Sequence, residues 1–103
     1  MKITTEEQLI DQGRAILDSH LGEIQKTPGY IGWKIHQTVD FIPHQTSIIM
    51  LVNVEGSTPF KEVAAHIEHV EDRAYTEFAN LEIPQELEGK VNIFIFMDFE
   101  EET

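Results

Sequence analysis

The chain contains no cysteine. Disulfides, thiolate metal ligands and cysteine nucleophiles are therefore excluded. The sequence also lacks any apolar run near the roughly 20 residues that a membrane-spanning helix needs. Its first residues, charged from Lys2 onwards, lack the apolar core of a signal peptide. We therefore expect a cytoplasmic protein that does not act at a membrane.

Basic residues are scarce. Seven Lys and Arg stand against nineteen Asp and Glu, which gives a formal net charge of −12 at pH 7. A chain this acidic is repelled by phosphate backbones and by anionic lipid, so we expect neither nucleic acid nor membrane as a partner. The acidity has three interpretations: it keeps the protein soluble, it attracts cations, or it imitates a polyanion towards a basic protein partner.

The rest of the composition is ordinary. The 103 residues are 41% hydrophobic and 25% charged, which is typical of a folded globular protein. This length supports one hydrophobic core, and we predict a single domain spanning residues 1–103.

Periodicity and turn residues predict the order of the elements. Thr4 or Thr5 stands three residues before Glu7 or Gln8 in a capping-box pattern that opens a first helix. Apolar residues at helical spacing continue this helix until Thr27-Pro28-Gly29, where proline and glycine end it.

Two strands follow the first helix. The first strand alternates apolar and polar residues. Its apolar parity comprises Ile31, Trp33, Ile35, Val39 and Phe41. The second strand, Ser47 to Glu55, follows after a short connection at Pro43-His44-Gln45, which favours an antiparallel hairpin.

A second helix opens at Gly56-Ser57-Thr58-Pro59, with Ser57 as a hydroxyl cap and proline just inside the start. The last strand runs from Val91 to Phe99. A helix between two strands of one sheet requires a crossover. The order α-β-β-α-β therefore predicts an α+β fold, a ferredoxin-like two-layer sandwich whose three-stranded sheet carries its helices on one face.

Two of the strands are apolar on both sides. The second strand has Ile48, Met50, Val52 and Val54 on one parity and Ile49 and Leu51 on the other. The last strand has Val91, Ile93, Ile95 and Met97 on one parity and Phe94 and Phe96 on the other. Such strands are covered on both faces, and we predict that a second copy of the chain covers the far face as a homodimer. The alternative is that the first helix or a terminal segment folds across it.

Metal binding is the chemistry that the sequence favours most. Five histidines accompany the surplus of carboxylates, and this ligand set suits zinc and similar divalent ions. Glu62, His66 and His69 lie at spacings of four and three, so they share one stripe of the second helix beside Arg73. The alternative is that both histidines are ordinary exposed helix residues. His36, on the polar parity of the first strand, has the same two interpretations.

Catalytic motifs are missing from the sequence. No serine lies in a Gly-x-Ser-x-Gly pattern, and no glycine-rich phosphate loop is present. Carboxylate pairs are expected by chance in a chain this acidic. We therefore predict a protein that is not an enzyme. The remaining alternative is an apolar pocket of a small dimer, lined by Trp33, Phe94 and Phe96.

Several segments together carry a family resemblance. They are Thr27-Pro28-Gly29-Tyr30, Ile31-Gly32-Trp33, Leu51-Val52-Asn53-Val54-Glu55, the Ser57 to Ala64 stretch and Val91 to Asp98. In this order the stretch from Gly29 to Phe99 resembles the cytoplasmic C-terminal domain of cation diffusion facilitator transporters. That domain has a metallochaperone-like, ferredoxin-type fold with the same α-β-β-α-β order.

The resemblance implies a dimer that binds divalent metal between its protomers. Asp98 falls where the family has a carboxylate ligand. Phe96 and Leu51 occupy positions where the family has histidines, and His36 lies near, but not on, the ligand position of the first strand. The resemblance therefore implies either a metal site moved to His36, His66 or His69, or a domain that only dimerises. The membrane helices of the transporter are missing, so the chain itself does not transport.

The leading hypothesis is a non-catalytic, dimeric regulatory or divalent-metal-binding module, with His36, His66, His69, Asp98 and Glu62 as candidate ligands for a metal such as zinc. The second hypothesis is an acidic protein-binding module that acts as a polyanion mimic on a basic partner protein. It predicts that Asp and Glu cluster on one surface rather than scatter evenly.

Overall fold

A computed structural model of the chain describes residues 2–39 and 42–101. Its elements are helices α1 (Glu6–Ser19) and α2 (Leu21–Ile24), strands β1 (Tyr30–Thr38) and β2 (Thr46–Glu55), helix α3 (Phe60–Ala79), a short 3-10 helix (Gln85–Leu87) and strand β3 (Val91–Glu100).

Helix α1 begins at the predicted capping box. The Thr5 hydroxyl accepts a hydrogen bond from the Gln8 backbone N–H at 3.2 Å, and Gln8 Oε1 accepts from the Thr5 N–H at 3.2 Å. These two bonds satisfy backbone donors that lack a partner inside the helix. The capping prediction is confirmed for Thr5.

The first helical segment is not continuous. The backbone leaves helical geometry at His20 (φ −99°, ψ 4°), and α2 starts afresh at Leu21. The His20 side chain is buried, with Nε2 3.1 Å from Glu77 Oε1 on α3. The prediction of one unbroken helix was wrong, because the turn at His20 accompanies a long-range contact that helical periodicity does not encode.

Helix α3 lacks the predicted hydroxyl cap. Its N-cap is Pro59, with no side-chain cap hydrogen bond, and the Ser57 hydroxyl instead donates to Glu55 Oε1 at 3.2 Å. The prediction for Ser57 was wrong. The fixed φ of Pro59, −58°, prepares the chain for the first helical turn in its place.

The sheet has the strand order β1-β2-β3. β1 and β2 are antiparallel, whereas β2 and β3 are parallel and are joined through α3. The α+β class, the three-stranded sheet and the order α-β-β-α-β are confirmed. A ferredoxin-like βαββαβ topology is not confirmed, since the described residues before α1 contain no strand.

The helices cover one face of the sheet, which we call the inner face. The buried core joins Leu9, Leu17 and Ile24 of α1 and α2 and Val63, Ile67 and Val70 of α3 to Ile48, Met50, Val52, Val54, Ile93 and Ile95 of the sheet. Gly13 lets α1 approach closely, because a Cβ at this position would lie 2.8 Å from Ile48 Cδ1 and 3.0 Å from Ile93 Cγ2. Since α1 and α2 lie on this side, they do not fold across the other face.

Strand β1 departs from its predicted pattern. An irregularity between Tyr30 and Gly32 shifts the register, and Tyr30 rather than Ile31 packs against the core. Ile31 is 52% exposed and Trp33 38% exposed. The helices pack mainly on β2 and β3, and they cover β1 less completely: Ile35 is only partly buried against the core, and Gln37 reaches α1 through a hydrogen bond from Arg14. The predicted burial of Ile31 and Trp33 was wrong, and Phe41 lies outside the described residues.

Within residues 2–39 and 42–101, no helix combines the length and the apolar character needed to cross a membrane.

Candidate functional site

The strand register defines the second face of the sheet, which we call the outer face. Its side chains form rows across the strands. From one end to the other, the rows are Thr38-Ser47-Asn92, His36-Ile49-Phe94, Lys34-Leu51-Phe96, Gly32-Asn53-Asp98 and Glu55-Glu100. In the second and third rows, Ile49 and Leu51 of β2 lie beside Phe94 and Phe96 of β3 and form an apolar band, so the second apolar parities of the two strands share one face.

The apolar band combines buried and exposed groups. Ile49, in the central strand, is only 5% exposed, whereas Phe96 is 37% exposed. The rings of Phe94 and Phe96 are stacked, with centroids 5.6 Å apart and an interplanar angle of 17°. No described helix lies across this band. The outer face therefore presents an aromatic ridge along β3.

Helix α3 reaches round the free edge of β3. The Tyr75 ring contacts Phe94 edge-on, with centroids 6.4 Å apart. One turn earlier, a Glu71 carboxylate oxygen accepts a hydrogen bond from the Ile95 backbone N–H at 3.0 Å. This bond occupies a donor that an edge strand would otherwise offer to another strand. The contact with Tyr75 extends the aromatic surface from the sheet onto α3.

Burial perturbs both of these α3 side chains. Desolvation raises the pKa of Glu71, and the Ile95 N–H opposes this by stabilising the carboxylate. Desolvation, followed by the nearby Glu71 charge, raises the pKa of Tyr75 to about 12. Both groups are therefore held in their neutral forms to higher pH than is usual for their types.

Charge is distributed unevenly over the outer face. Its first three rows contain no carboxylate, although the chain has nineteen Asp and Glu. The only charged or titratable side chains in these rows are Lys34 and His36. At the other end, Asp98, Glu55 and Glu100 lie close together, and Glu101 follows. We call these four residues the acidic end.

The structure separates the candidate metal ligands of the sheet. His36 and Asp98 both belong to the outer face, but they lie on β1 and β3 and in different rows. Two strand spacings and four residues along a strand put them roughly 16 Å apart. A zinc ion needs ligands at about 2 Å. The two residues therefore cannot bind one ion within a single chain.

The other candidate ligands lie on α3, in the opposite layer. His66 Nε2 is 2.7 Å from the Glu23 backbone oxygen, so this ring links α3 to α2. His69 lines a shallow depression with Asp72, Arg73, Thr76 and Glu77, all from the same helix. Glu62 is exposed in the first turn. Among the described residues, no three histidine or carboxylate side chains come together as a metal-binding group.

The sequence did not indicate the positions of three side chains around these surfaces. His20, one of the five histidines, is buried and contacts Glu77 across the helical layer, and Glu71 and Tyr75 lie at the edge of β3. Glu71 and Tyr75 are four residues apart on α3, which places them on one stripe. That spacing is a signal, but nothing local indicates that the stripe meets a strand edge.

Comparison of the chain with models of known protein families, with curated proteins and with solved structures found no match.

Proposed function

We propose that the chain is a non-catalytic regulatory or binding module that acts as a homodimer paired through the outer face. The observation that carries this proposal is that the apolar band and the neighbouring row of Thr38, Ser47 and Asn92 contain no carboxylate, in a chain of net charge −12. Two such faces can meet without burying opposed negative charges. Buried unpaired charge is among the strongest penalties against association.

The size of the face sets the expected affinity. Three strands of ten residues or fewer give a surface roughly 14 Å by 33 Å, or about 450 Å² per copy. Standard interfaces bury about 800 Å² per partner. The dimer is therefore expected to be weak and concentration-dependent, with a Kd on the order of micromolar or weaker.

The resemblance to cation diffusion facilitator domains remains part of this proposal. The α-β-β-α-β order, which the resemblance also implies, supports it. The dimeric state and the ferredoxin-like description that the resemblance implies stay predictions. Leu51 and Phe96, which stand where that family has histidines, are partners in the same outer-face row. An apolar pair at that position favours contact between chains over metal binding there.

Divalent-metal binding stays a prediction. Calorimetric titration of zinc or manganese into the wild-type protein tests it, with a His66→Ala/His69→Ala variant beside it. Heat from the wild type that the variant lacks would support a site on α3. An absence of heat at millimolar metal would end the metal part and leave the dimer proposal intact.

A second function, the acidic protein-binding module, is favoured by the position of the acids. The helical layer exposes Glu6, Glu7, Asp11 and Asp18 on α1 and Glu62, Glu68, Asp72 and Glu77 on α3. Polylysine binding by a Glu68→Lys/Asp72→Lys variant tests whether this layer is a recognition surface. The matched control is Glu86→Lys/Glu88→Lys, in the loop before β3. If both variants lose the same affinity for polylysine, the binding depends on the overall charge of the chain and not on a recognition surface in the helical layer.

The homodimer is tested by placing a charge on the aromatic ridge. We expect Phe96→Glu to abolish dimer formation, measured by light scattering on a sizing column over a concentration series. Phe60→Glu is the matched control, because Phe60 is 62% exposed and lies at the start of α3, away from the outer face. If both variants dimerise like the wild type, the outer face is not the interface.

A further inference from the structure

We infer that the two copies pack face to face with their central strands β2 running in opposite directions. This orientation rests on the proposed dimer and specifies how the partner is seated. It follows from two features of the outer face, the position of its apolar band and the position of its acidic end.

The apolar band fixes the centre of the contact. Its two rows, built around Ile49 and Leu51, are neighbours along β2. Consider a two-fold axis that lies in the plane of the contact, perpendicular to the strands and midway between these two rows. It places the Ile49 row of one copy over the Leu51 row of the second copy, and the reverse. Phe94 then lies over the partner's Phe96, and Ile49 over the partner's Leu51. Such a two-fold contact is self-complementary, as an isologous interface requires.

The acidic end fixes the direction. With opposite strand directions, the row of Asp98 lies over the uncharged row of the partner's Asn92. The row of Glu55 and Glu100 lies at the end of the contact, over the partner's Gln45 and the partner's Lys90, which immediately precede its β2 and β3. Each pole of the dimer then carries Glu55, Glu100 and Glu101 of one copy, whereas Asp98 faces the partner's Asn92, whose amide is a hydrogen-bond donor. Charges that remain solvated at separate poles repel each other weakly, because salt screens them over about 10 Å.

The other two-fold arrangement, with parallel central strands, gathers both acidic ends at one pole. Four carboxylates from each copy, eight in all, would then lie together. Lys34 would come near the partner's Asp98 in that arrangement, but two lysines do not balance eight carboxylates. Opposite directions instead place Lys34 beside the partner's His36, at the exposed rim of β1. Because both side chains are exposed to solvent, placing these two basic groups side by side costs little free energy.

The β3 edge of the sheet is consistent with face-to-face packing. At β3, Glu71 already accepts the Ile95 N–H, so a strand added at this edge would lose one of its hydrogen bonds. Tyr75 also stands against Phe94 at that edge. A second copy is therefore directed to the face rather than to the edge of β3.

The absence of cysteine makes the orientation measurable. A single Ser57→Cys change places one nitroxide label per chain next to the acidic end, at an exposed position just after β2. Glu55 lies five residues from the centre of the apolar band. Its two copies are therefore about 33 Å apart if the strands oppose each other, and about 10 Å apart if they are parallel.

Electron–electron dipolar spectroscopy on the labelled protein tests the inference, with sedimentation of the same sample to establish its oligomeric state. A dimer with label distances of about 30 Å or more supports opposite strand directions. A dimer with distances below about 20 Å overturns the orientation but leaves the proposed dimer standing. If the labelled and the unlabelled protein both sediment only as monomers, the orientation and the proposed dimer are both overturned.

Discussion

At Gly13 a single hydrogen in place of a side chain sets how closely α1 packs on the sheet. An added methyl in a packed core costs about 1–3 kcal/mol, and the higher helix propensity of alanine offsets about 1 kcal/mol of this. We therefore expect Gly13→Ala to destabilise the protein by up to about 2 kcal/mol. The reason is the 2.8 Å and 3.0 Å approaches to Ile48 and Ile93. Urea unfolding measures the change.

Gly22 supplies the matched control. It lies in α2, and a Cβ there would meet no atom within 4 Å. Gly22→Ala should therefore leave stability unchanged or raise it by up to about 1 kcal/mol. If the two substitutions had effects of the same sign and size, α1 would not pack against the sheet at Gly13 as described.

Glu71 makes stability depend on pH in a defined direction. Its folded pKa lies above the ordinary value of 4.5, mainly because of burial. Between these two values the folded protein binds more protons than the unfolded chain, so stability falls as the pH rises through the window. Glu71→Gln keeps an acceptor for the Ile95 N–H and removes the titration. We expect the wild type to lose more stability than this variant between pH 4.5 and neutrality.

Thermal unfolding of both proteins over that pH range checks this expectation. The comparison cancels the carboxylates that the two proteins share. A wild type that gains stability relative to the variant as pH rises would mean that the ionised carboxylate is favoured at this site, which contradicts the account of Glu71.

Residue-scale features were predictable from the sequence only where they are local. The Thr5–Gln8 capping box spans three residues and appears in the structure as expected. The contact of His20 with Glu77 joins residues 57 positions apart. The contact of Glu71 with Ile95 joins residues 24 positions apart. Neither contact follows from the identities of nearby residues, because chain packing alone brings the partners together.

At the scale of whole elements, the two long helices begin by different means. We expect Thr5→Ala to destabilise the protein by about 1 kcal/mol, since the alanine side chain cannot accept the Gln8 N–H. Ser57→Ala should have little effect, because Ser57 does not cap α3. Chemical denaturation of the two variants measures both values. If Ser57→Ala destabilised the protein as much as Thr5→Ala, the result would indicate that Ser57 caps α3 after all.

The sequence pattern placed every strand, but it failed at the detail of β1. Alternation identifies β1 as half-buried, yet it cannot reveal the irregularity near Ile31 that exchanges the positions of Ile31 and Tyr30. It also cannot reveal how far the helical layer extends across the sheet. For β2 and β3 the apolar pattern was enough to predict which side chains enter the core, because both strands lie beneath the helices. The candidate metal ligands lie in two different layers, His36 and Asp98 on the sheet and the others on α3. Their spacing along the chain does not determine which layer each side chain belongs to.

At the scale of the molecule, salt separates the two proposed functions. Two chains of net charge −12 repel each other. Raising the salt concentration from about 0.01 M to 0.15 M shortens the screening length from roughly 30 Å to 8 Å. Dimerisation through an apolar face should therefore strengthen with salt, whereas binding of a basic partner should weaken. Light scattering over a salt series measures the direction of the change in dimerisation, and polylysine binding over the same series measures the direction of the change in affinity for a basic partner. Dimers that dissociate as salt rises would contradict an apolar contact.

The most direct test of the central claim is sedimentation equilibrium of the unmodified protein from low to several hundred micromolar concentration. We expect a reversible rise in mass from 11.8 kDa per chain towards twice that value, and no such rise for Phe96→Glu. A wild-type mass that stays at 11.8 kDa over the whole range would contradict pairing through the outer face.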